Sequence, residues 1–169
     1  MNLIILDTET TGLNPFKHEL VEIGAVRMSD GETFEVKVHP MDIKNADPKA
    51  LEINGYNKKE WIDDGYLLEN GLKLLTEFVG KNGSTLMTYN ISFDKAFLEK
   101  AYRECDLPYP FHYAPLDLMT WVWSKVEMGG RVPSLKDACL LYGIDPEPSV
   151  HRALQGALTA FEVYKKLIV

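Results

Sequence analysis

The sequence predicts an α/β fold in which helices flank a mixed β-sheet. Three strand-like segments come first in the chain, and a hairpin signal joins the second of them to the third. From about residue 67 onward, segments with helical spacing alternate with short strand-like ones. A chain that begins with paired strands and continues by such alternation forms a sheet with both parallel and antiparallel neighbours.

The first three strands are predicted from apolar content and alternation. Residues 2–7 contain an unbroken apolar run and are predicted as a central strand. Residues 20–26 and 33–38 are predicted as the second and third strands. The Ser-Asp-Gly sequence at 29–31 is a turn signal, so these two strands are expected to be antiparallel.

The later elements are predicted from helical spacing, turn residues and caps. Residues 40–64 carry several turn formers and are expected to hold two short helices. Ser134 and Asp137 form a capping-box pattern, which predicts a helix that ends at Gly143. The other predicted elements are a helix over 67–79, a strand over 85–89, a helix over 93–105, a fifth strand over 113–116, a helix over 118–126 and a final helix from about 151 to 168.

Length and composition narrow the protein class. The 169 residues are predicted to form one domain, 1–169, and a chain of this length buries roughly 70% of the surface that it exposes when unfolded. The net charge of −7 argues against a broad electrostatic contact with nucleic acid, but does not exclude a local one. No membrane-spanning stretch or signal peptide is expected. Cys105 and Cys139 lack metal-type spacing, and reduced thiols suit the cytoplasm.

Two acids, Asp7 and Glu9, come at the end of the first predicted strand. Alternate strand residues share a face, so the two carboxylates are predicted to point the same way. A divalent cation would relieve their repulsion, and hard oxygen ligands suit magnesium or manganese better than zinc. Considered alone, the pair is explained equally well as the end of a strand and the beginning of a turn that includes Thr10 and Gly12.

Two further polar sites lie far along the chain. Asp94 comes at the start of the helix that follows the strand over 85–89, where an acid can cap free N–H groups. Nearby, Asn90 is explained as a turn residue and Phe93 as a core residue. His151 begins the last predicted helix, and a lone histidine there is more often structural than catalytic. Each structural interpretation stays open when its residue is considered alone.

Together the three sites form a much more specific pattern. Asp-Thr-Glu-Thr-Thr-Gly-Leu at 7–13, Asn-x-x-Phe-Asp at 90–94 and His-x-Ala-x-x-x-Ala at 151–157 resemble the motifs of the DEDDh family of 3′–5′ exonucleases in order and spacing. That family includes proofreading subunits of bacterial replicative polymerases, RNase T and oligoribonucleases. The resemblance covers essentially the whole chain. It implies a ribonuclease-H-like fold with a five-stranded mixed sheet.

The resemblance implies a role for each matching residue. Asp7, Glu9 and Asp94 match metal ligands of a mechanism that uses two Mg²⁺ or Mn²⁺ ions. His151 matches the general base, which with one metal would generate the attacking hydroxide. The other metal would stabilise the departing 3′ oxygen, so that nucleoside 5′-monophosphates are released. Histidine suits the step because its unperturbed pKa, about 6.5, lies near working pH.

The resemblance also implies contacts with the substrate. The residues concerned are Thr10, Thr11, Gly12, Leu13, Asn90 and Phe93. Backbone groups of the first three would hold the 3′ end. Leu13 would wedge against the terminal bases, unless it is only a partly buried loop residue, and Phe93 would stack on a base. Tyr89 stands where family members often carry histidine, which we interpret as tolerated variation.

One position departs from the family pattern. The family carries an aspartate five residues after the histidine, where this chain has Gly156. Loss of this carboxylate predicts weaker metal binding and a large loss of rate. The helical neighbours of position 156 are not acidic, and glycine costs a helix about 1 kcal/mol relative to alanine, so nothing local favours it. We interpret Gly156 as the replacement of an ancestral or native aspartate, either by a change made in cloning or by natural loss.

Two functions are compatible with the sequence. The first is a metal-dependent 3′–5′ exonuclease, impaired by Gly156, that acts on single-stranded DNA or RNA 3′ ends, with DNA favoured, alone or with a DNA polymerase or replication complex. The second is a catalytically inactive module that binds single-stranded nucleic acid or serves as a scaffold in replication or repair. The surviving acids and His151 favour the first, and Gly156 favours the second. If the first is correct, restoring aspartate at 156 is expected to raise activity by orders of magnitude.

Overall fold

A computed structural model of the chain describes residues 2–80, 83–126 and 130–168. Within these ranges it contains one five-stranded sheet. The strands are β1 (Leu3–Thr10), β2 (Leu20–Arg27), β3 (Thr33–Lys37), β4 (Thr85–Thr88) and β5 (Leu116–Asp117). The α-helices are α1 (Pro48–Ile53), α2 (Lys58–Asp64), α3 (Leu68–Val79), α4 (Ile91–Glu104), α5 (Leu118–Lys125), α6 (Leu135–Tyr142) and α7 (Ala153–Leu167).

The strand order across the sheet is β3-β2-β1-β4-β5. β1 pairs antiparallel with β2, and β2 pairs antiparallel with β3, as the turn signal predicts. β4 runs parallel to β1, and β5 runs parallel to β4. The predicted mixed sheet is therefore confirmed. Because β1 and β4 are parallel, the segments that follow them leave the same edge of the sheet.

Several predicted boundaries are wrong by a few residues. β1 continues through Thr10, because it stays paired with β2 as far as Leu20, with an irregularity between Glu9 and Thr10. The acid pair therefore lies inside the strand instead of at its end. The fifth strand was predicted over 113–116 but is only Leu116–Asp117, since Pro115 has no N–H to donate to the sheet.

Two helices also begin elsewhere than predicted. α4 starts at Ile91, two residues early, with Asn90 at its N-cap position, so Asp94 lies within the first turns and does not cap the helix. α7 starts at Ala153, because Arg152 has an extended backbone (φ −136°, ψ 134°). His151 therefore precedes the helix. The predicted capping box of α6 is confirmed, since Ser134 and Asp137 exchange both of its hydrogen bonds.

Helices cover both faces of the sheet. On one face, Ile4 and Leu6 of β1 belong to a buried cluster with residues of α3 and α4. On the other face, Ile5 belongs to a buried cluster with residues of α5, α6 and α7. Successive residues of β1 thus point to opposite layers, as the alternation of strand side chains requires. This alternation decides which helices the polar residues farther along β1 face.

Helix α7 lies directly against β2. A Cβ atom on Gly24 would overlap the backbone of Ala153 and Leu154, so the helix start can approach the strand this closely only because position 24 is glycine. Two residues earlier on β2, the carboxylate of Glu22 is fully buried and accepts hydrogen bonds from the side chain of Arg152. The beginning of α7 is therefore held in a defined place on the sheet.

None of the helices in the three described ranges combines the length and apolar character needed to cross a bilayer. Cys105 and Cys139 are free thiols. Burial raises the pKa of both, which disfavours the reactive thiolate.

Candidate active site

The acid pair continues the face of β1 that carries Ile5. Asp7 and Glu9 follow Ile5 by two and four residues, so both point toward the layer that contains α7. Thr8, between them, points to the opposite layer and is buried. The sequence prediction that the two carboxylates share a face is consistent with this placement.

Asp94 reaches the same edge of the sheet from α4. The segment that leads to α4 follows β4, which is parallel to β1, so the two strands deliver their polar residues to one end. The hydroxyl of Thr8 donates a hydrogen bond of 2.7 Å to Oδ1 of Asp94, whose side chain is almost fully buried. This bond connects the first motif to the second across 86 positions of sequence.

His151 is positioned by the residues on either side of it. Its backbone N–H donates to the carbonyl of Ile53 at the end of α1, at 2.9 Å. Arg152, the next residue, is bound to buried Glu22. The imidazole itself is about half exposed, with 47% of its side-chain surface accessible. A fixed backbone therefore presents a solvent-accessible ring.

A cleft of about 750 Å³ joins these residues. The predicted site residues that line it are Asp7, Glu9, Thr10, Leu13, Asn90, Phe93, Asp94 and His151. Residues that the sequence did not single out also line it, among them Lys49 and Glu147. Only two predicted site residues, Thr11 and Gly12, are not part of its lining.

Thr11 and Gly12 instead shape the loop beside the cleft. Thr11 is buried, its hydroxyl accepts from the N–H of Glu19, and its carbonyl accepts from the N–H of Asp47. A Cβ atom on Gly12 would overlap the imidazole of His18, so glycine is required by this close approach. Their side-chain positions indicate support for the loop, while Leu13, immediately after them, is 78% exposed.

The residues at the start of α4 give the cleft its apolar and polar parts. Phe93 is partly buried and its ring lies 5.0 Å from that of Phe97. The amide oxygen of Asn90 accepts from the Ser92 hydroxyl and the residue is exposed. Tyr89 is nearly buried, and its hydroxyl donates to the carbonyl of Ser134 at 2.9 Å, which ties the cleft to the start of α6.

The carboxylates of the cleft disfavour one another's charged forms. Burial, followed by the charges of Asp94 and further acids, raises the pKa of Asp7 well above its ordinary value. Burial and neighbouring carboxylates raise the pKa of Glu9 to about 8. Burial also raises the pKa of Asp94 to about 6, although hydrogen bonds oppose the shift. A site that gathers so much negative charge has a physical need for a cation.

Gly156 on α7 faces Asp7, and the structure corrects the view that nothing local favours glycine there. A Cβ atom at this position would overlap the carboxylate of Asp7 and would lie 2.9 Å from Oε1 of Glu147. Any side chain at 156 would therefore displace a carboxylate. Glu147 belongs to the loop before α7, so the helical spacing around position 156 could not reveal it.

The chain matches known proteins over nearly its whole length. The family model described as exonuclease matches residues 4–164. The chain is 28% identical to DNA polymerase III subunit epsilon of Pasteurella multocida (strain Pm70) over 95% of its own length, and spans 64% of that protein, less than two thirds. It is also 28% identical to ribonuclease T of Yersinia pseudotuberculosis (serotype O:1b, strain IP 31758), covering 98% of this chain and 83% of the relative.

Solved structures share the fold. The complex of E. coli exonuclease I with a dT13 oligonucleotide gives a TM-score of 0.81 at 17% identity, covering 99% of this chain and 40% of that one. The nuclease domain of 3′hExo, a DEDDh family member bound to rAMP, gives a TM-score of 0.77 at 19% identity, covering 99% of this chain and 91% of that one. The predicted ribonuclease-H-like fold is confirmed.

DEDDh exonucleases depend on divalent metal ions. The carboxylate oxygens gathered at this cleft are donors of the class that such ions take. Since the family match extends over residues 4–164 and includes all three motifs, the chain belongs to the DEDDh exonuclease family.

Proposed function

We propose that the chain is a divalent-metal-dependent 3′–5′ exonuclease, folded as one domain over 1–169, that releases nucleoside 5′-monophosphates from single-stranded 3′ ends. One observation carries the proposal. Asp7 and Glu9 from a strand, and Asp94 from a helix far along the chain, line the same cleft. His151 lines that cleft too. The family to which the chain belongs supports the same reaction class.

The donor set fits Mg²⁺ or Mn²⁺. Carboxylate oxygens are hard ligands, and the mutual repulsion of these acids would fall when a cation enters. Among the described residues, no three His, Cys, Asp or Glu side chains already stand where they could hold an ion. We therefore expect the carboxylates to draw together on metal binding. When bound, two such ions lower the pKa of the attacking water and stabilise the charge that develops on the departing 3′ oxygen.

His151 would take the proton of the attacking water. Its Nδ1 lies 4.0 Å from Oε2 of Glu147, so a negative charge stands close to the ring and would stabilise the imidazolium that forms when His151 accepts the proton. The bond from the His151 N–H to Ile53 holds the backbone while the ring stays accessible to water.

Three groups would hold the substrate. Leu13 is exposed on the wall of the cleft, where an apolar side chain can pack against the terminal base. Phe93 presents an aromatic ring on which a base could stack. Lys49 lines the same cleft and would pair with a backbone phosphate, a local positive charge on a chain of net charge −7.

The substrate is proposed to be DNA in preference to RNA, and the chain is proposed to act in the cytoplasm. The relatives include a DNA polymerase subunit and a ribonuclease, and exonuclease I is seen with a DNA oligonucleotide. The likeness to the polymerase subunit also supports a polymerase or replication complex as a partner.

The alternative is a non-catalytic module that binds single-stranded nucleic acid. The observation that favours it is Gly156, since the matching aspartate of the family is absent. On this interpretation the cleft binds a 3′ end but does not hydrolyse it, or hydrolyses it very slowly.

A single assay separates the two. A 5′-labelled single-stranded DNA and an RNA of the same sequence are incubated with the chain and Mg²⁺ or Mn²⁺, each with a free or a phosphorothioate-protected 3′ end. The exonuclease predicts stepwise shortening of the free 3′ end, arrest at the protected end and loss of cleavage in Asp7→Asn. Asp145→Asn, an exposed acid outside the cleft lining, is the matched control and should cleave normally. Binding of the oligonucleotide with no shortening would favour the alternative.

A further inference from the structure

Position 156 of α7 faces Asp7, and any side chain at this position would displace neighbouring carboxylates. The carboxylate of Asp7 and Oε1 of Glu147 both approach the point that a Cβ atom on Gly156 would occupy. A glycine inside a helix costs about 1 kcal/mol relative to alanine, so its presence here needs a reason. The two carboxylates supply that reason, since each would be displaced by even a methyl group.

Glu147 is directed into the cleft and away from solvent. Only 16% of its side-chain surface is accessible, although it comes from a loop. Its Oε1 is buried and has no hydrogen-bond partner among the described residues, and its Oε2 faces His151. An unpaired, buried carboxylate oxygen is unfavourable unless a partner arrives.

The charge of Glu147 affects the pKa values of neighbouring acids. It is among the groups that raise the pKa of both Asp7 and Glu9. Its own pKa is raised by burial, with His151 opposing the shift. The local sequence restricts its movement, because it lies between Pro146 and Pro148, whose rings fix their own backbone angles.

We infer that Glu147 supplies the fourth carboxylate of the metal site, from the loop before α7, in the space that Gly156 leaves open. The inference rests on the proposed function and specifies its ligands. A glutamate approaching from the loop can replace an aspartate on the helix, because its longer side chain brings Oε1 to 2.9 Å from the point that a Cβ atom at 156 would occupy beside Asp7. The two positions are then mutually dependent: Glu147 needs glycine at 156, and glycine at 156 removes the need for aspartate there only when Glu147 is present.

Metal binding, measured without turnover, tests the inference. The full chain is stripped with chelator and titrated with Mn²⁺ at one fixed pH, and bound ions are counted from the loss of the free Mn²⁺ electron paramagnetic resonance signal. Glu147→Gln keeps the shape of the side chain and removes its charge, and is expected to weaken one site about 10-fold or more. Asp145→Asn, on the same loop but exposed, is the matched control and should bind as the unmodified chain does.

A second set of variants moves the carboxylate from position 147 to position 156. Glu147→Ala should lose affinity as Glu147→Gln does. Gly156→Asp alone should gain none, because its side chain displaces Asp7 and Glu147. This replaces the expectation from the sequence that aspartate at 156 would raise activity by orders of magnitude. The double variant Glu147→Ala/Gly156→Asp removes one of the two carboxylates that crowd position 156, so Asp7 gains space to shift away from the new Cβ atom, and this variant should bind Mn²⁺ more tightly than Glu147→Ala alone. Thermal unfolding in chelator identifies any variant that fails to fold. If one of these variants does not fold, the Mn²⁺ affinity of Glu147→Gln alone decides whether Glu147 is a ligand.

The outcomes separate this inference from the proposed function. Unchanged Mn²⁺ affinity in Glu147→Gln, or a gain of 10-fold or more in Gly156→Asp alone, would overturn the role of Glu147. If Asp7→Asn loses Mn²⁺ binding in the same experiment, the metal site itself still stands. Full binding in Asp7→Asn would instead contradict the proposed function.

Discussion

Arg152 clamps the buried carboxylate of Glu22 from the start of α7, with Nε 3.0 Å from Oε2 and Nη2 2.7 Å from Oε1. Glu22 is fully buried in β2, and Arg152 is the positive group that pairs with its carboxylate there. The same guanidinium lies 5.3 Å from the centre of the Trp61 ring. Because Arg152 directly follows His151, the clamp also determines where the imidazole stands relative to the acids on β1.

Arg152→Met should therefore be destabilising. It leaves the charge of Glu22 buried without its partner, a change worth 3–5 kcal/mol in buried pairs, and we expect about 3 kcal/mol because the Arg152 side chain is 32% exposed. Urea unfolding measures the loss. Arg131→Met, which removes an exposed pair with Asp137, is the control and should change stability little. Equal losses in the two variants would contradict a structural role for the clamp.

Because α7 lies so close to β2, a larger residue at position 24 is also expected to destabilise the protein. Gly24→Ala places a methyl group against the backbone of Ala153 and Leu154, which cannot move aside as a side chain could. Overpacking of this kind costs about 1–3 kcal/mol, and the displaced helix start should carry His151 away and reduce nuclease rate as well. The control is Gly31→Asn in the β2–β3 turn, where the added group meets nothing and asparagine tolerates the positive φ of 75°. Unaltered stability and rate in Gly24→Ala would show that the packing can adjust.

Local rules predict the sheet from the sequence, whereas the motif residues are predicted by the family resemblance, because each of them considered alone also has a structural explanation. Alternation in β1 places Asp7 and Glu9 on one face, and the parallel pairing of β1 with β4 brings Asp94 to the same end. Boundaries are less predictable because tertiary contacts decide them. The hydrogen bonds of Arg152 to Glu22, 130 positions away, accompany the extended backbone that delays the start of α7.

Glu147 could not be predicted in the same way. No motif contains it, and no helical or strand period connects it to position 156, because it reaches the cleft from a loop. The signal available in the sequence was indirect: a glycine where the family has an acid, and an acid between two prolines shortly before His151. Only the folded chain shows that Oε1 of Glu147 lies 2.9 Å from the point that a Cβ atom on Gly156 would occupy.

Metal-free protein should lose stability as the pH rises. An acid whose pKa is raised by folding favours the folded state most below its ordinary pKa, and this contribution is lost as the pH rises through the folded value. For Glu9 that window runs from 4.5 to about 8, and for Asp94 from 3.8 to about 6. The charges facing Glu9 are Glu22, Glu147 and Asp94, which raise its pKa, and Arg152, which lowers it.

Thermal melts in chelator across this range measure the effect. We expect the melting temperature to fall between mildly acidic and mildly alkaline pH, and Mn²⁺ to restore it most at the alkaline end. Asp7→Asn removes one of the repelling charges and should melt higher than the unmodified chain in chelator at alkaline pH. A melting temperature that rises with pH in chelator would contradict the raised pKa values.

Leu13 offers a test of substrate contact that is separate from stability. Its side chain is 78% exposed on the wall of the cleft, so truncation removes almost no buried surface from the free protein. Leu13→Ala should leave unfolding and Mn²⁺ binding unchanged while raising KM for a single-stranded oligonucleotide roughly 3- to 10-fold, as expected for an apolar contact of about 1 kcal/mol. Phe16→Ala is the matched control, because Phe16 is 89% exposed on the same loop but does not line the cleft. If KM rises more in Phe16→Ala than in Leu13→Ala, the terminal base contacts the outer part of the loop and not the wall of the cleft.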